Sequence, residues 1–220
     1  MKKITALLKL DFQLLAPYWK WWLMFFGISL GLSLLNRSGV LFVISLTIFA
    51  GTVMAFPFES TDNSNLHVLY SILPTNRKSM VFARYIAILI IFVISLALAI
   101  STGIIIDLAF HSTFSGRGIL LSTCLAFGLY MVSVGFQTPF LYRFGYKKGR
   151  IFMWIPIILV NIAIMLPALF DLFNSNITFN IFDAFFNNQT PTNLISVGVG
   201  VAALVISFIV SRILYVRRDV

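Results

Sequence analysis

The sequence predicts an all-α polytopic membrane protein with six transmembrane helices. It adds an N-terminal amphipathic interfacial helix, a short amphipathic helix in one cytoplasmic loop, and both termini in the cytoplasm. Three observations carry that prediction. Of the 220 residues, 60% are hydrophobic and only 10% are charged, where a soluble domain carries about 25% charged residues. The mean hydropathy is +0.97, so there are too few charges to build a water-facing surface. A soluble enzyme and a disordered chain are both excluded on that ground. Finally, the apolar residues fall into six long runs, and the basic residues collect at their ends.

The six runs are residues 19–35, 39–58, 79–108, 118–141, 151–172 and 193–216. Each is long enough to cross a hydrocarbon core of about 30 Å at about 1.5 Å per helical residue. Helix is the assignment because no alternating strand pattern occurs, and an unclosed sheet could not satisfy its backbone in lipid. No internal repeat or low-complexity linker divides the chain, so residues 1–220 read as one membrane domain.

Lys and Arg fix the sidedness. With the N-terminus inside, the cytoplasmic side receives Lys2, Lys3, Lys9, Lys20, Arg77, Lys78, Arg84, Arg143, Lys147, Lys148, Arg150, Arg212, Arg217 and Arg218. That is 14 of the 16 basic residues; Arg37 and Arg117 fall outside. The split follows the positive-inside rule. It also accounts for the formal charge of +9 without a nucleic-acid partner. Lys9 and Asp11 interrupt the apolar stretch after Lys2 and Lys3, and no small-x-small site follows, so no cleavable signal peptide is expected.

Three segments are not simple spans. Along residues 1–17, Lys2, Thr5, Lys9 and Gln13 share one helical face, and Ile4, Leu7, Leu8, Leu14 and Leu15 crowd the other. This reads as a helix lying in the inner membrane interface. Asp11 breaks the apolar face. It either reaches the headgroups or a nearby Lys, or it contacts another chain or segment. In the cytoplasmic loop 59–78, Leu66, Leu69, Tyr70 and Leu73 form one apolar stripe at i, i+3, i+4 and i+7. The residues from Asp62 to Asn65 offer caps before that stripe, and Pro74 ends it. A two-turn helix has little stability alone, so it needs a surface to lie on. The external loop 173–192 contains Asp183 and no basic residue. With Phe179, Ile181, Phe182, Phe185 and Phe186 it is apolar enough to dip into the outer interface as a short helix or re-entrant turn.

The chemistry that is missing narrows the function. No G-x-x-x-x-G-K-[ST] motif occurs; Gly145 to Gly149, with Lys147 and Lys148, reads as an inside loop. His67 falls inside and His111 outside, so they cannot share a metal, and the single Cys124 has no His near it in sequence. No catalytic, cofactor-binding or metal-ligating set is assigned. Ion-coupled carriers need an ionisable group within the bundle. Asp107 is the one acidic candidate, and it sits at the outer end of its span. Gln137 and Asn161 read as buried polar groups bonded to neighbouring helices. Gly27 and Gly31 form a G-x-x-x-G that permits close helix packing, within the chain or between chains. Pro139, Pro156 and Pro167 are expected to kink their helices.

The cytoplasmic run from Glu59 through Leu66, Leu69, Tyr70, Leu73-Pro74-Thr-Asn-Arg77-Lys78 to Arg84-Tyr85 resembles a signature of the ABC-2 family of transporter permeases. That family has an acidic residue after the second span, an amphipathic stretch, Leu-Pro-x-x-Arg, then a basic residue and Tyr early in the third span. It more often has Lys where this chain has Arg84. The resemblance implies that Leu66, Leu69, Tyr70 and Leu73 belong to a coupling helix seated in a separate P-loop ATPase, with Glu59, Arg77 and Lys78 beside it. It implies that the N-terminal segment, with Lys2, Lys9 and Asp11, is a connector helix against the same subunit. Two permeases and two ATPases would form the exporter, with ATP and Mg held by the ATPase and not by this chain. Small permeases of this type resemble those of Gram-positive bacterial exporters of bacitracin, lantibiotics and phenol-soluble modulins. The implied substrate is therefore an amphipathic, membrane-active peptide or a lipid-like molecule, and the implied location is the bacterial cell membrane. On the residues alone, a non-transporting immunity or sensor partner and a secondary carrier or channel stay open. Co-purification with an ATPase separates the first from a permease, and dependence on an ion gradient separates the second.

Overall fold

The computed structural model of the chain describes residues 2–63, 77–110, 116–173 and 189–216. Regular structure among them is helical throughout. In chain order it comprises α1 (Lys2–Leu15), a short 3-10 turn (Ala16–Tyr18), α2 (Trp19–Asn36), α3 (Gly39–Val53), α4 (Phe56–Asn63), α5 (Arg77–Ala109), α6 (Gly116–Phe173) and α7 (Gln189–Val216). Four described stretches are long and apolar enough to cross a membrane: Gly39–Asp62, Ser79–Ala109, Gly118–Phe152 and Pro191–Tyr215. α2 carries Lys20 and Asn36 within its 18 residues and is not among them. The far part of α6 covers the predicted fifth run, where most side chains are outside the described set.

α1 ends at Leu15, and Pro17, whose ring fixes the first turn of the 3-10 segment, leads into α2. α2 then stops on Arg37, which takes the left-handed conformation (φ 51°). The Arg37 and Ser38 N–H groups reach back to the Leu34 and Ser33 carbonyls, the hydrogen-bond pattern of a Schellman stop. The chain reverses at once into α3. The Gly39 N–H at the start of α3 donates to Asp107 Oδ1 on α5 at 2.8 Å. A carboxylate is favoured there because the first N–H groups of a helix have no partner within it. Glycine is needed at that position, since a Cβ would overlap the Gly103 carbonyl and the Asp107 carboxylate. Asp107 is 4% exposed, so it is a helix cap inside the protein and not a boundary residue facing the headgroups.

α3 is the centre of the bundle. Its span is 72% buried, against 22% for α7. Phe42, Val43 and Val53 on α3 have no exposed surface. α3 lies between α2, α5 and α6, and α7 packs on α6 through small residues. A Cβ on Gly128 would come within 2.7 Å of the Ser196 carbonyl oxygen, the close backbone approach that small residues permit between membrane helices.

Two sequence expectations change here. The second span was expected to end at Phe58 and pass into a loop. Instead the chain turns at Met54 and Ala55, and α4 carries it to Asn63. Pro57 lies in the first turn of α4, where no N–H is needed. Glu59 and Asp62 therefore stand on a helix. The second change concerns Gly145 to Gly149, which is not a loop. α6 stays helical except at Gly145 (φ 71°, ψ 177°), a conformation open to glycine because it lacks Cβ. The chain folds back there. The Phe140 and Phe152 rings stack with centroids 4.3 Å apart, whereas a straight helix would separate those positions by about 18 Å. α6 is thus two arms joined by one residue, and Pro139, Pro156 and Pro167 leave the backbone helical.

Candidate functional site

The α1 end of the bundle holds the most concentrated polar chemistry among the described residues. α1 presents Leu7, Asp11 and Leu15 to the protein, while Thr5, Lys9 and Gln13 are exposed. Asp11 Oδ1 accepts a charge-assisted hydrogen bond from Arg84 Nη2 of α5 at 2.9 Å. Asp11 is 5% exposed and Arg84 is 8% exposed. The Arg84 guanidinium also lies over the Phe58 ring of α4, 4.1 Å from its centroid. The pair is paired, hydrogen-bonded and covered by an aromatic face, as a buried charge must be. Of the two readings of Asp11, contact with another segment is the one observed.

Tyr142, on the first arm of α6, completes the enclosure. Its ring meets Phe58 edge-on at 4.9 Å and Tyr215 of α7 at 5.1 Å. A small cavity of ≈ 40 Å³ remains beside the ion pair, bounded by Leu7, Asp11, Met80, Arg84 and Tyr142. It has room for a water molecule and not for a substrate.

α4 anchors the reversal in α6. The Asp62 carboxylate accepts the Tyr146 N–H directly after Gly145, capping the second arm in the manner of an N-terminal carboxylate. Asp62 was among the residues expected to offer a cap to the loop stripe, which lies outside the described residues; here its carboxylate caps the second arm of α6. Glu59 lies beside the Tyr146 side chain. It was expected to serve the coupling contact next to Arg77 and Lys78; those two residues open α5, and their side chains lie outside the described set.

The bundle above is pinned by single polar contacts. The Tyr85 hydroxyl bonds the Ser207 and Ser211 hydroxyls of α7 at 2.6 and 2.9 Å. Tyr130 donates to the Ile88 carbonyl at 2.9 Å. Gln137 Nε2 donates to the Gly51 carbonyl of α3, the helix-to-helix bond expected of it. Gln137 Oε1 is buried with no partner among the described residues.

The remaining expected site residues divide clearly. Leu66, His67, Leu69, Tyr70 and Leu73 fall in 64–76, outside the described residues, and His111 and residues 174–188 of the loop expected outside also lie beyond them. The side chains of Lys2 and Asn161 also lie outside them. Lys9 is exposed. A Cβ at Gly27 or Gly31 would meet nothing within 4 Å among the described residues, so their G-x-x-x-G packs against no described residue of this chain. Sequence reasoning did not find the partners of Tyr85, although Ser207 and Ser211 stand four apart in an apolar helix, a visible polar stripe. Phe58 and Tyr142 carried no such signal.

The arrangement joins elements mechanically: α1 to α5 by an ion pair, α4 to α6 by a cap, and α5 to α7 by hydroxyls. Helices long and apolar enough to cross a membrane, joined to one another by buried polar contacts, define a multi-pass membrane protein. A family model described as ABC-2 family transporter protein matches residues 6–216. The chain belongs to that family and is a membrane component of an ABC transporter. No curated protein and no solved structure matches it.

Proposed function

We propose that this chain is the permease subunit of an ATP-driven exporter, with six spans and both termini in the cytoplasm of a bacterial cell. A separate P-loop ATPase, which would hold ATP and Mg, docks on the 64–76 segment. Its Leu66, Leu69, Tyr70 and Leu73 stripe supplies the apolar contact, with Arg77 and Lys78 setting the register. A second permease copy completes the assembly, and the open face of α2 at Gly27 and Gly31 is the surface offered to it. The cargo is an amphipathic peptide or a lipid-like molecule.

The observation that carries this reading is the Asp11–Arg84 pair. It lies seven residues beyond Arg77 on the helix that follows the docking segment. Any displacement of that segment reaches α5, and through the pair it reaches α1 without slack. Two elements facing the same motor would then move as one.

The test is direct. Wild-type permease should co-purify with its ATPase and raise its hydrolysis rate. Leu69→Asp combined with Tyr70→Asp should abolish both while leaving the permease monodisperse. Retained co-purification and transport in the double variant would sink the docking assignment.

A further inference from the structure

α4 has a second working face. Phe58, Thr61 and Asp62 line the small cavity next to the ion pair, whereas Phe56 and Glu59 line a separate cleft of ≈ 410 Å³. That volume lies within the range of sites that take small ligands or the head of a larger one. Tyr18 and Phe56 form one wall, stacked at 4.5 Å with 7° between their planes. Trp21 tilts against Phe56 at 5.8 Å, and Trp154 enters from the second arm of α6. Trp21 is 42% and Trp154 is 50% exposed, so indole surface remains open to an occupant.

The polar groups of the cleft are unequal. Glu59 is half-buried and lies beside Tyr146, and it forms no ion pair with a described side chain. Arg150 shares the cleft and is exposed. The exposed Lys147 and Lys148 nearby are screened over about 8 Å at physiological salt; the half-buried carboxylate is screened less. A half-buried carboxylate with no ion pair to a described side chain, set beside aromatic rings, is the chemistry that recognises an alkylammonium group, through charge and through cation–π attraction together.

We propose that this cleft binds the ammonium group of an amphiphile, with Glu59 as counter-ion, the indoles of Trp21 and Trp154 as its aromatic contacts, and the apolar body left toward the membrane. The ammonium could belong to an amphipathic cargo or to a lipid headgroup. Only the description of the occupant as cargo rests on the export reading.

The probe is decyltrimethylammonium, kept below micellar concentration and titrated into the full chain in phosphatidylglycerol nanodiscs, read by tryptophan fluorescence. Saturable quenching is expected, with decanesulfonate and decyl maltoside failing to compete. Glu59→Gln keeps the shape and all four tryptophans, and should weaken binding at least tenfold. Arg150→Gln removes an opposing charge and should leave binding as tight or up to threefold tighter. Equal affinity in Glu59→Gln, or equal weakening in Arg150→Gln, would overturn the site and leave the aromatics as interfacial anchors. Phosphatidylethanolamine in the nanodisc should compete if the headgroup is the natural occupant, and should not if the cargo is; either result supports the ammonium site. No ATPase is present in this measurement. Failed ATPase docking would therefore sink the export reading and leave the cleft standing, and failed binding would do the reverse.

Discussion

Two carboxylates are buried at opposite ends of this bundle, and they are satisfied in different ways. At the α1 end, Asp11 meets a full guanidinium charge from Arg84, supported by the Phe58 ring. At the α2–α3 turn, Asp107 meets the N–H of Gly39 and the start of a helix. The first is a joint between two buried side chains on elements far apart in sequence. The second is fixed to the backbone, and its geometry demands glycine. The contrast separates a joint made by two side chains from a clamp of side chain on backbone that holds a hairpin shut.

Asp11→Ala should have the largest effect. It strands a buried guanidinium, and removing one partner of such a pair costs about 3–5 kcal/mol. Thermal unfolding in nanodiscs should fall accordingly, and proteolysis within α1 should accelerate. The exchange Asp11→Arg with Arg84→Asp should recover part of the loss, and no recovery would mean that the pair is not the joint. Gly39→Ala comes next. The new methyl meets a carbonyl and a carboxylate that cannot both withdraw, and overpacking of this kind costs about 1–3 kcal/mol. Unlike the first variant, it should leave α1 protected from protease.

Smaller effects sharpen the same contrast. Asp107→Asn keeps an acceptor but loses the charge facing a helix start, a change of about 0.3–1 kcal/mol. Its melting temperature should drop less than that of Asp11→Asn. Tyr85→Phe removes two hydroxyl contacts to α7, and interhelical bonds in membranes average about 0.6 kcal/mol. Gly27→Ala should shift stability least, within about 0.5 kcal/mol, because nothing stands within 4 Å of the added carbon. A loss above 1.5 kcal/mol in that variant would contradict the open face of α2.

The helical course of the chain was legible because hydropathy and charge act over whole segments. Three of the four described spans begin and end within four residues of the predicted ends, and the one from Gly118 runs on to Phe152, past the predicted end at 141. The anomaly of Asp11 was also visible, since a charge on an apolar face must be answered somewhere. Its answer was not legible, because Arg84 lies 73 residues away and no periodicity reports a tertiary contact. The reversal at Gly145 was misread as a loop for a different reason. Two glycines and three basic residues between apolar runs resemble a solvated connection, and nothing local reveals that Asp62 and the stacked Phe140 and Phe152 close it with a single residue. α4 escaped notice because Pro57 suggests an ending, whereas its ring suits a helical beginning equally well.

The single-residue reversal in α6 leaves no spare chain between the two arms. A rope so short behaves as a bent rod. A push applied at Lys147 or Lys148 would be delivered to both limbs together, and the only compliance available is rotation about one glycine's two backbone bonds.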